Sequence, residues 1–214
     1  MPNFRAAVAI PLAFLLALSG CKIIKTPTAE EAAEAASGGF NPARQVAEIW
    51  DSKVTPFLEK RAGSFQEVNA LTKSDLDAVA AKYGHKEKEG SAPWTFAAKV
   101  SGTIIKAETA SRAAYLDTDV DGDGKADVRI QIGPVIKGTA IRDSLDFVNF
   151  NDFKNQIQWA EFGKAFNLHI NGLTLEKLSR DGLEGKKVEA LGAFPLPSAG
   201  QLALFTPATI TIGG

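Results

Sequence analysis

An acidic loop in the middle of the chain carries the residue types that bind divalent cations. From Asp117 to Asp127 the sequence reads DTDVDGDGKAD, so carboxylates recur at alternate positions, and Gly122 and Gly124 permit a tight turn. The carboxylates that fit the first, third, fifth and ninth positions of a calcium-binding loop are Asp119, Asp121, Asp123 and Asp127. The twelfth position, where an EF-hand has a bidentate Glu, is Ile130. The segment therefore predicts either a structural Ca²⁺ site outside the EF-hand class or a plain acidic turn whose Asp-Gly pairs supply the geometry.

A second segment, residues 138–159, combines side chains that recognise polar small molecules. Guanidinium, carboxylate and amide groups bind hydroxyls, and an indole ring stacks on the apolar faces of sugar rings. The candidates for such a ligand site are Arg142, Asp143, Asn151, Asn155 and Trp159. A structural interpretation is also open. In it Arg142 and Asp143 form an ion pair, Asn151 or Asp152 caps a helix, and Asn155 lies on the solvated face of that helix.

The composition gives little support to catalysis and to several classes of partner. The chain of 214 residues has one Cys and two His, so it has no internal disulfide and too few ligands for a three-His metal site. It contains neither a G-x-S-x-G motif nor a Gly-rich phosphate-binding loop. With 24 basic and 25 acidic residues, it lacks the positive excess that a nucleic-acid backbone requires. We therefore assign no catalytic residue, and we expect neither an enzyme nor a nucleic-acid binder.

The first twenty residues have the pattern of a secretory leader. A single base, Arg5, precedes an apolar run over residues 6–18, which is too short and too interrupted by Pro11 for a membrane span. The run ends in LSGC, which resembles the bacterial lipobox, and Cys21 is the single cysteine of the chain. We predict a signal peptide over 1–20 and lipidation of Cys21, which anchors the protein at the periplasmic face of the outer or cytoplasmic membrane. Lys22 follows the cysteine, and this slightly favours the outer membrane.

The rest of the sequence predicts helices first and strands second. Residues 21–39 are expected to form a lipidated tether, and residues 40–92 a helical region that begins at Asn41-Pro42, a good helix start. Residues 93–214 predict strands, with one inserted helix over 152–167. The Gly-rich strand at 185–194, followed by a closing strand, resembles Greek-key barrels of the oligonucleotide/oligosaccharide-binding (OB) type. The predicted fold is α+β: N-terminal helices and then a small OB-like barrel.

Taken together, these motifs resemble a family of predicted bacterial periplasmic lipoproteins known only as a domain of unknown function. The stretches that carry the resemblance are Cys21 with its leader and residues 117–127, 133–143 and 150–156. The resemblance implies an OB-like barrel preceded by helices, and it suggests genes that lie near sugar-uptake ABC transporters.

The expected function is therefore binding rather than catalysis. We expect a membrane-anchored lipoprotein that binds a small polar ligand or assists a solute transporter, with an ABC transporter component as a candidate partner. The alternative is a structural or envelope-interaction module without a small ligand, and a hydrolase is less favoured. A concave pocket would favour the ligand binder, whereas an exposed apolar patch without a pocket would favour the interaction module.

Overall fold

The computed structural model describes Thr28, residues 38–88 and residues 92–213. The chain divides into two compact units, Met1–Gly39 and Phe40–Gly214, and nearly all described residues belong to the second. The predicted signal peptide, the lipidation site at Cys21 and most of the predicted tether lie outside the described residues.

The second unit begins with two helices joined by a π-helical turn. Helix α1 spans Pro42–Ile49, the π-helical turn Trp50–Val54, and helix α2 Thr55–Arg61. Asn41 caps α1 as predicted, because its side chain accepts a bond from the Arg44 N–H at 3.0 Å. Pro56 lies in the first turn of α2. The turn before it widens to π-helical bonding, because proline removes an N–H and crowds the preceding chain.

A second pair of helices is held against the barrel by short strands. Helix α3 spans Phe65–Ser74 and helix α4 Leu76–Tyr83, and Ser64 and Asp75 cap them. Strand β1, Gly63–Ser64, precedes α3, and strand β2, Gly84–His85, follows α4. Both pair with the first long barrel strand, so the helix pair is fixed at its two ends.

Five strands close the barrel. They are β3 (Thr95–Glu108), β4 (Tyr115–Asp119), β5 (Val128–Gln131), β6 (Lys187–Pro195) and β7 (Ala203–Gly213). The order around the barrel is β3-β4-β5-β7-β6, and β6 pairs with β3 to close it. All neighbours are antiparallel except β5 and β7, which run parallel. This Greek-key order, with helices before it and a helix between β5 and β6, confirms the predicted fold.

The inserted helical region is longer than the sequence suggested. Helix α5 spans Ala140–Asp143 and helix α6 Gln156–Leu173. Separate 3₁₀ turns lie at Phe150–Asp152 and Leu175–Lys177. The helix predicted over 152–167 thus begins later than expected, because Asn155 rather than Asn151 or Asp152 caps it. It also ends later, at Leu173.

Two apolar clusters fix these elements. One fills the barrel and extends to α3 and α4, with Phe65, Phe96, Phe194 and Phe205 among its buried members. The other lies between α1, α2, α5, α6 and the outer face of β6 and β7, and it includes Trp50, Ile141, Phe166 and Ile170. The second cluster packs α5 and α6 side by side, and this contact determines the environment of Arg142.

Candidate functional site

Three of the four predicted calcium ligands come together at the end of β4. Carboxylate oxygens of Asp119, Asp121 and Asp127 lie within 4.8 Å of one another. Asp123 is not in this group, since its carboxylate accepts bonds from the Lys125 backbone at 2.8 Å and from the Lys125 ammonium at 3.2 Å. The loop thus places three carboxylates where a cation could neutralise them.

The same loop is also well organised by its own backbone. Asp119 accepts N–H bonds from Gly122 at 2.7 Å, from Gly124 at 2.9 Å and from Asp121 at 3.2 Å. These bonds, those from Gly122 and Gly124 above all, lower the pKa of the Asp119 carboxyl below its ordinary value. The Asp127 carboxylate also accepts a hydrogen bond from the Val120 N–H at 2.9 Å. The backbone thus organises the loop by itself, and the Ca²⁺ site stays a prediction.

Calcium should raise the melting temperature of the protein if the three close carboxylates hold an ion. At a hundred times its dissociation constant, a ligand that binds only the folded state adds about 2.7 kcal/mol. We expect this response in the wild type and in Asp123→Ala, and we expect Asp121→Ala to lose it. Thermal melts in Ca²⁺ and in EGTA measure the difference. Identical melts of the wild type under the two conditions would make the loop a plain turn.

The predicted ligand-binding residues Arg142, Asp143 and Trp159 are adjacent, but they contact one another. Arg142 is only 7% exposed, and its Nε and Nη2 donate to Asp143 Oδ1 at 2.8 and 2.6 Å. Its Nη1 donates to the Trp159 carbonyl at 2.8 Å, and Nη2 also donates to Thr139 Oγ1 at 3.0 Å. The guanidinium carbon lies 3.7 Å from the centroid of the Trp159 ring.

These contacts favour the structural interpretation of Arg142. Burial lowers the pKa of its guanidinium, while the Asp143 carboxylate opposes that shift. Gly163 makes the close packing feasible, because a Cβ atom there would lie 2.6 Å from Arg142 Nη1. The arginine thus joins α5 to α6 through polar groups that a ligand would otherwise need. A ligand-binding role for Arg142 and Asp143 stays a prediction without support from their geometry.

The two predicted amides have unequal roles. Asn155 accepts a bond from the Gln158 N–H at 3.0 Å and is the N-cap of α6, a role that satisfies a helix-end donor. Asn151 is exposed in the 3₁₀ turn before it. The cap role of Asn155 and the exposed position of Asn151 give no support to ligand binding by either amide.

A cleft of about 560 Å³ lies on another part of the surface, against β4 and β5. Two loops complete it, residues 109–114 between β3 and β4 and residues 196–202 between β6 and β7. The side chains that give it chemical character are Tyr115, Arg129, Gln131, Lys137, Gln201 and Leu204. Its size falls in the range of small-molecule sites.

The floor of the cleft is a preorganised cross-strand cluster. Asp117 on β4 pairs in register with Arg129 on β5, and two hydrogen bonds of 2.7 and 2.9 Å join their side chains. The Arg129 guanidinium lies 3.8 Å from the centroid of the Tyr115 ring, and the bonds to Asp117 raise its pKa above the ordinary value. Arg129 is therefore held flat along the sheet, with its position set before any ligand arrives.

The rim of the cleft is fixed by Gln131. Its amide oxygen accepts the Lys137 N–H at 2.7 Å, and its amide nitrogen donates to the Lys137 carbonyl at 3.1 Å and to Thr206 Oγ1 at 3.0 Å. These bonds hold the Lys137 backbone at the rim, while the Lys137 side chain is exposed. Within the described part of the chain, no carboxylate forms an ion pair with the Lys137 ammonium. The cleft thus offers one uncompensated positive charge.

The residues of this cleft do not stand out in the sequence. Tyr115, Arg129 and Gln131 are far in sequence from the loop at 196–202, and the parallel pairing of β5 with β7 brings them together. The available signal was the alternation of polar residues with buried Leu116 and Ile130 along the two strands. In the OB architecture, the face of the second and third strands, together with the loops after the first and fourth, is the ligand-binding surface.

Comparisons with known proteins indicate the family of the chain and, separately, its fold. The family model described as a predicted periplasmic lipoprotein, DUF2291, matches residues 11–211. The crystal structure of an OB-fold protein from Thermotoga maritima superposes with a TM-score of 0.61 at 17% identity, over 82% of this chain and 99% of that one. No curated protein sequence matches the chain. Within the described residues, no helix is both long and apolar enough to cross a bilayer.

Proposed function

Because the chain belongs to DUF2291, a family of predicted periplasmic lipoproteins, we propose that it is a lipid-anchored binding module for a small polar ligand with an acidic group. Family membership makes it a membrane-anchored protein that faces the periplasm. Cys21 is the residue to which the lipobox assigns the anchor. The ligand site that we propose is the cleft on β4 and β5, rather than the segment around Arg142.

The observation that carries this proposal is the uncompensated charge of Lys137 at the rim, above a rigid floor. Lys137 lies at the rim without an acidic partner among the described residues. Two hydrogen bonds from the Gln131 amide hold the Lys137 backbone, and a third joins Gln131 to Thr206. Arg129, already charge-balanced by Asp117, supplies remaining donors along the floor. A carboxylate or phosphate at the rim would pair with Lys137, and hydroxyls would reach Gln201 and Ser111.

The side chains of the cleft suit binding better than catalysis. Its described titratable members are Tyr115, Arg129 and Lys137, and no His, Cys or unpaired carboxylate lines it. Ser111 and Lys137 line the cleft, but no His or carboxylate among the described lining residues is placed to activate either of them. The concave site also favours the ligand binder over the interaction module, and a solute held there is compatible with assistance to a sugar transporter, which stays a prediction.

Acidic sugars should stabilise the protein more than neutral sugars do. We expect glucuronate or glucose 6-phosphate to raise the melting temperature of the lipoprotein in detergent, and glucose to have a smaller effect, because only the acids can pair with Lys137. Lys137→Ala should raise the ligand concentration needed for the same shift a few-fold, because an ion pair with an exposed lysine contributes up to about 1 kcal/mol.

A matched control is Lys60→Ala, which removes an exposed lysine from α2, outside the cleft. It should respond to the acidic sugars as the wild type does. If the acidic sugars raised the melting temperatures of Lys137→Ala and Lys60→Ala equally, the binding site would lie outside the cleft. The absence of any shift with either acid would remove the support for a ligand of this class.

A further inference from the structure

We propose that an aromatic patch at the start of α6 docks on the membrane in which the lipid anchor is inserted. We define the aromatic patch as Phe40, Phe150, Phe153, Ile157 and Trp159. It shares no residue with the cleft on β4 and β5, so the proposal stands or falls independently of the ligand.

The patch is a connected group of partly exposed apolar side chains. The Phe153 ring centroid lies 6.0 Å from that of Phe40 and 5.2 Å from that of Trp159, and the Phe150 and Trp159 centroids are 5.9 Å apart. All four rings are half-buried. Ile157, in the first turn of α6, is 69% exposed and is the most exposed large hydrophobic side chain of the described residues. Trp is enriched at membrane–water interfaces, and Phe is common on the apolar faces of segments that lie in that interface.

The short connection between Cys21 and the patch makes the bilayer the partner that we propose for it. The second unit begins at Phe40, which is itself a member of the patch. Only eighteen residues, 22–39, separate it from Cys21, and these span at most about 60 Å even when fully extended. The bilayer that holds the acyl chains is therefore always within reach of the patch, at a high effective concentration.

The charges beside the patch suit an anionic lipid surface. Glu87 accepts a bond from the Phe150 N–H at 3.0 Å, so its exposed chain neighbours Lys86 and Lys88 lie close to the patch. Lys154, next to Phe153, is exposed as well. Two acidic groups, Glu87 and Asp152, also lie beside the patch, so the three lysines leave a net positive charge of one there. Lysines around an apolar patch attract the headgroups of anionic lipids within a Debye length.

Site-specific fluorescence tests the proposal on the full lipidated protein. Lipidation converts the thiol of Cys21, the single cysteine, to a thioether, so Ile157→Cys supplies one reactive thiol for an environment-sensitive fluorophore. In vesicles of phosphatidylethanolamine and phosphatidylglycerol, we expect chain-spin-labelled lipid to quench this label several-fold more than aqueous iodide does. The control label at Ile105→Cys, on strand β3, should show the reverse order.

Charge reversal supplies a second measurement that leaves the apolar contacts intact. Lys86→Glu together with Lys154→Glu, in the Ile157→Cys protein, should reduce quenching by the spin-labelled lipid at least twofold. Iodide quenching at position 157 as strong as at position 105 would overturn the proposal. Protection at 157 that appears only when the ratio of protein to lipid is raised would also overturn it and would indicate contact with a second copy.

Discussion

Arg142→Ala is expected to lower the free energy of unfolding by about 3 kcal/mol, since it leaves the half-buried Asp143 carboxylate without its cation and removes the contact with Trp159. For a folded unit of this size, the loss corresponds to a fall of about 6–12 °C in melting temperature. Thermal or denaturant unfolding measures it. The physical reason is that Arg142 is 7% exposed and uses its donors on α5 and α6 themselves.

Two variants make the Arg142 result specific. Arg142→Lys keeps the charge but loses the planar fork that reaches Asp143, Thr139 and the Trp159 carbonyl, so its stability should fall between those of the wild type and Arg142→Ala. Lys125→Ala breaks an exposed ion pair with Asp123 and should change stability by no more than about 0.5 kcal/mol. A stable Arg142→Ala that bound acidic sugars poorly would restore the ligand-binding interpretation of this segment.

Gly192→Ala is expected to lower the free energy of unfolding by about 3 kcal/mol or more, because the new Cβ would lie 2.1 Å from the Thr206 carbonyl oxygen. The obstacle is backbone, so rotation of a side chain cannot relieve it. Gly192 lies at the shift of register between β6 and β7, and the two strands would have to separate there. We expect a large fall in the melting temperature, measured by circular dichroism, together with poor recovery of folded protein.

Gly172→Ala is the matched control for the glycine substitution. Gly172 lies in α6, and no described atom outside the neighbouring helix backbone lies within 4 Å of the position of a Cβ, so alanine should stabilise the helix by about 0.5–1 kcal/mol. If Gly192→Ala proved as stable as the wild type, the close pairing of β6 with β7 at this position would be incorrect.

The sequence predicted the order of elements better than their contacts. The spacing of apolar residues predicted strands after residue 93, and all five barrel strands lie there, because local alternation reflects which side chains face the core. The start of α1 followed from Asn41 and Pro42, whose preferences are also local. Closure of the barrel was anticipated through the resemblance of the Gly-rich strand at 185–194 to known barrels, and the pairing of β6 with β3 confirmed it.

The candidate site was harder to predict because polar residue types do not reveal their partners. Arg142, Asp143 and Trp159 were predicted to share a ligand site, yet nothing in their spacing showed that they would contact one another instead of a ligand. Lys137 and Arg129 do not stand out in the sequence, since single lysines and arginines are common on protein surfaces. Their significance comes from the pairings of β4 with β5 and of β5 with β7, which are contacts between distant segments.

The crystal structure of the protein soaked with glucuronate tests the central claim most directly. We predict difference density for the sugar in the cleft against β4 and β5, with its carboxylate within hydrogen-bond distance of Lys137 Nζ and its ring near Tyr115 and Gln201. The contacts of Arg142 with Asp143 and Trp159 should be unchanged in the complex. Density beside Arg142, with those contacts broken, or a cleft that holds only ordered water at saturating ligand, would contradict the account.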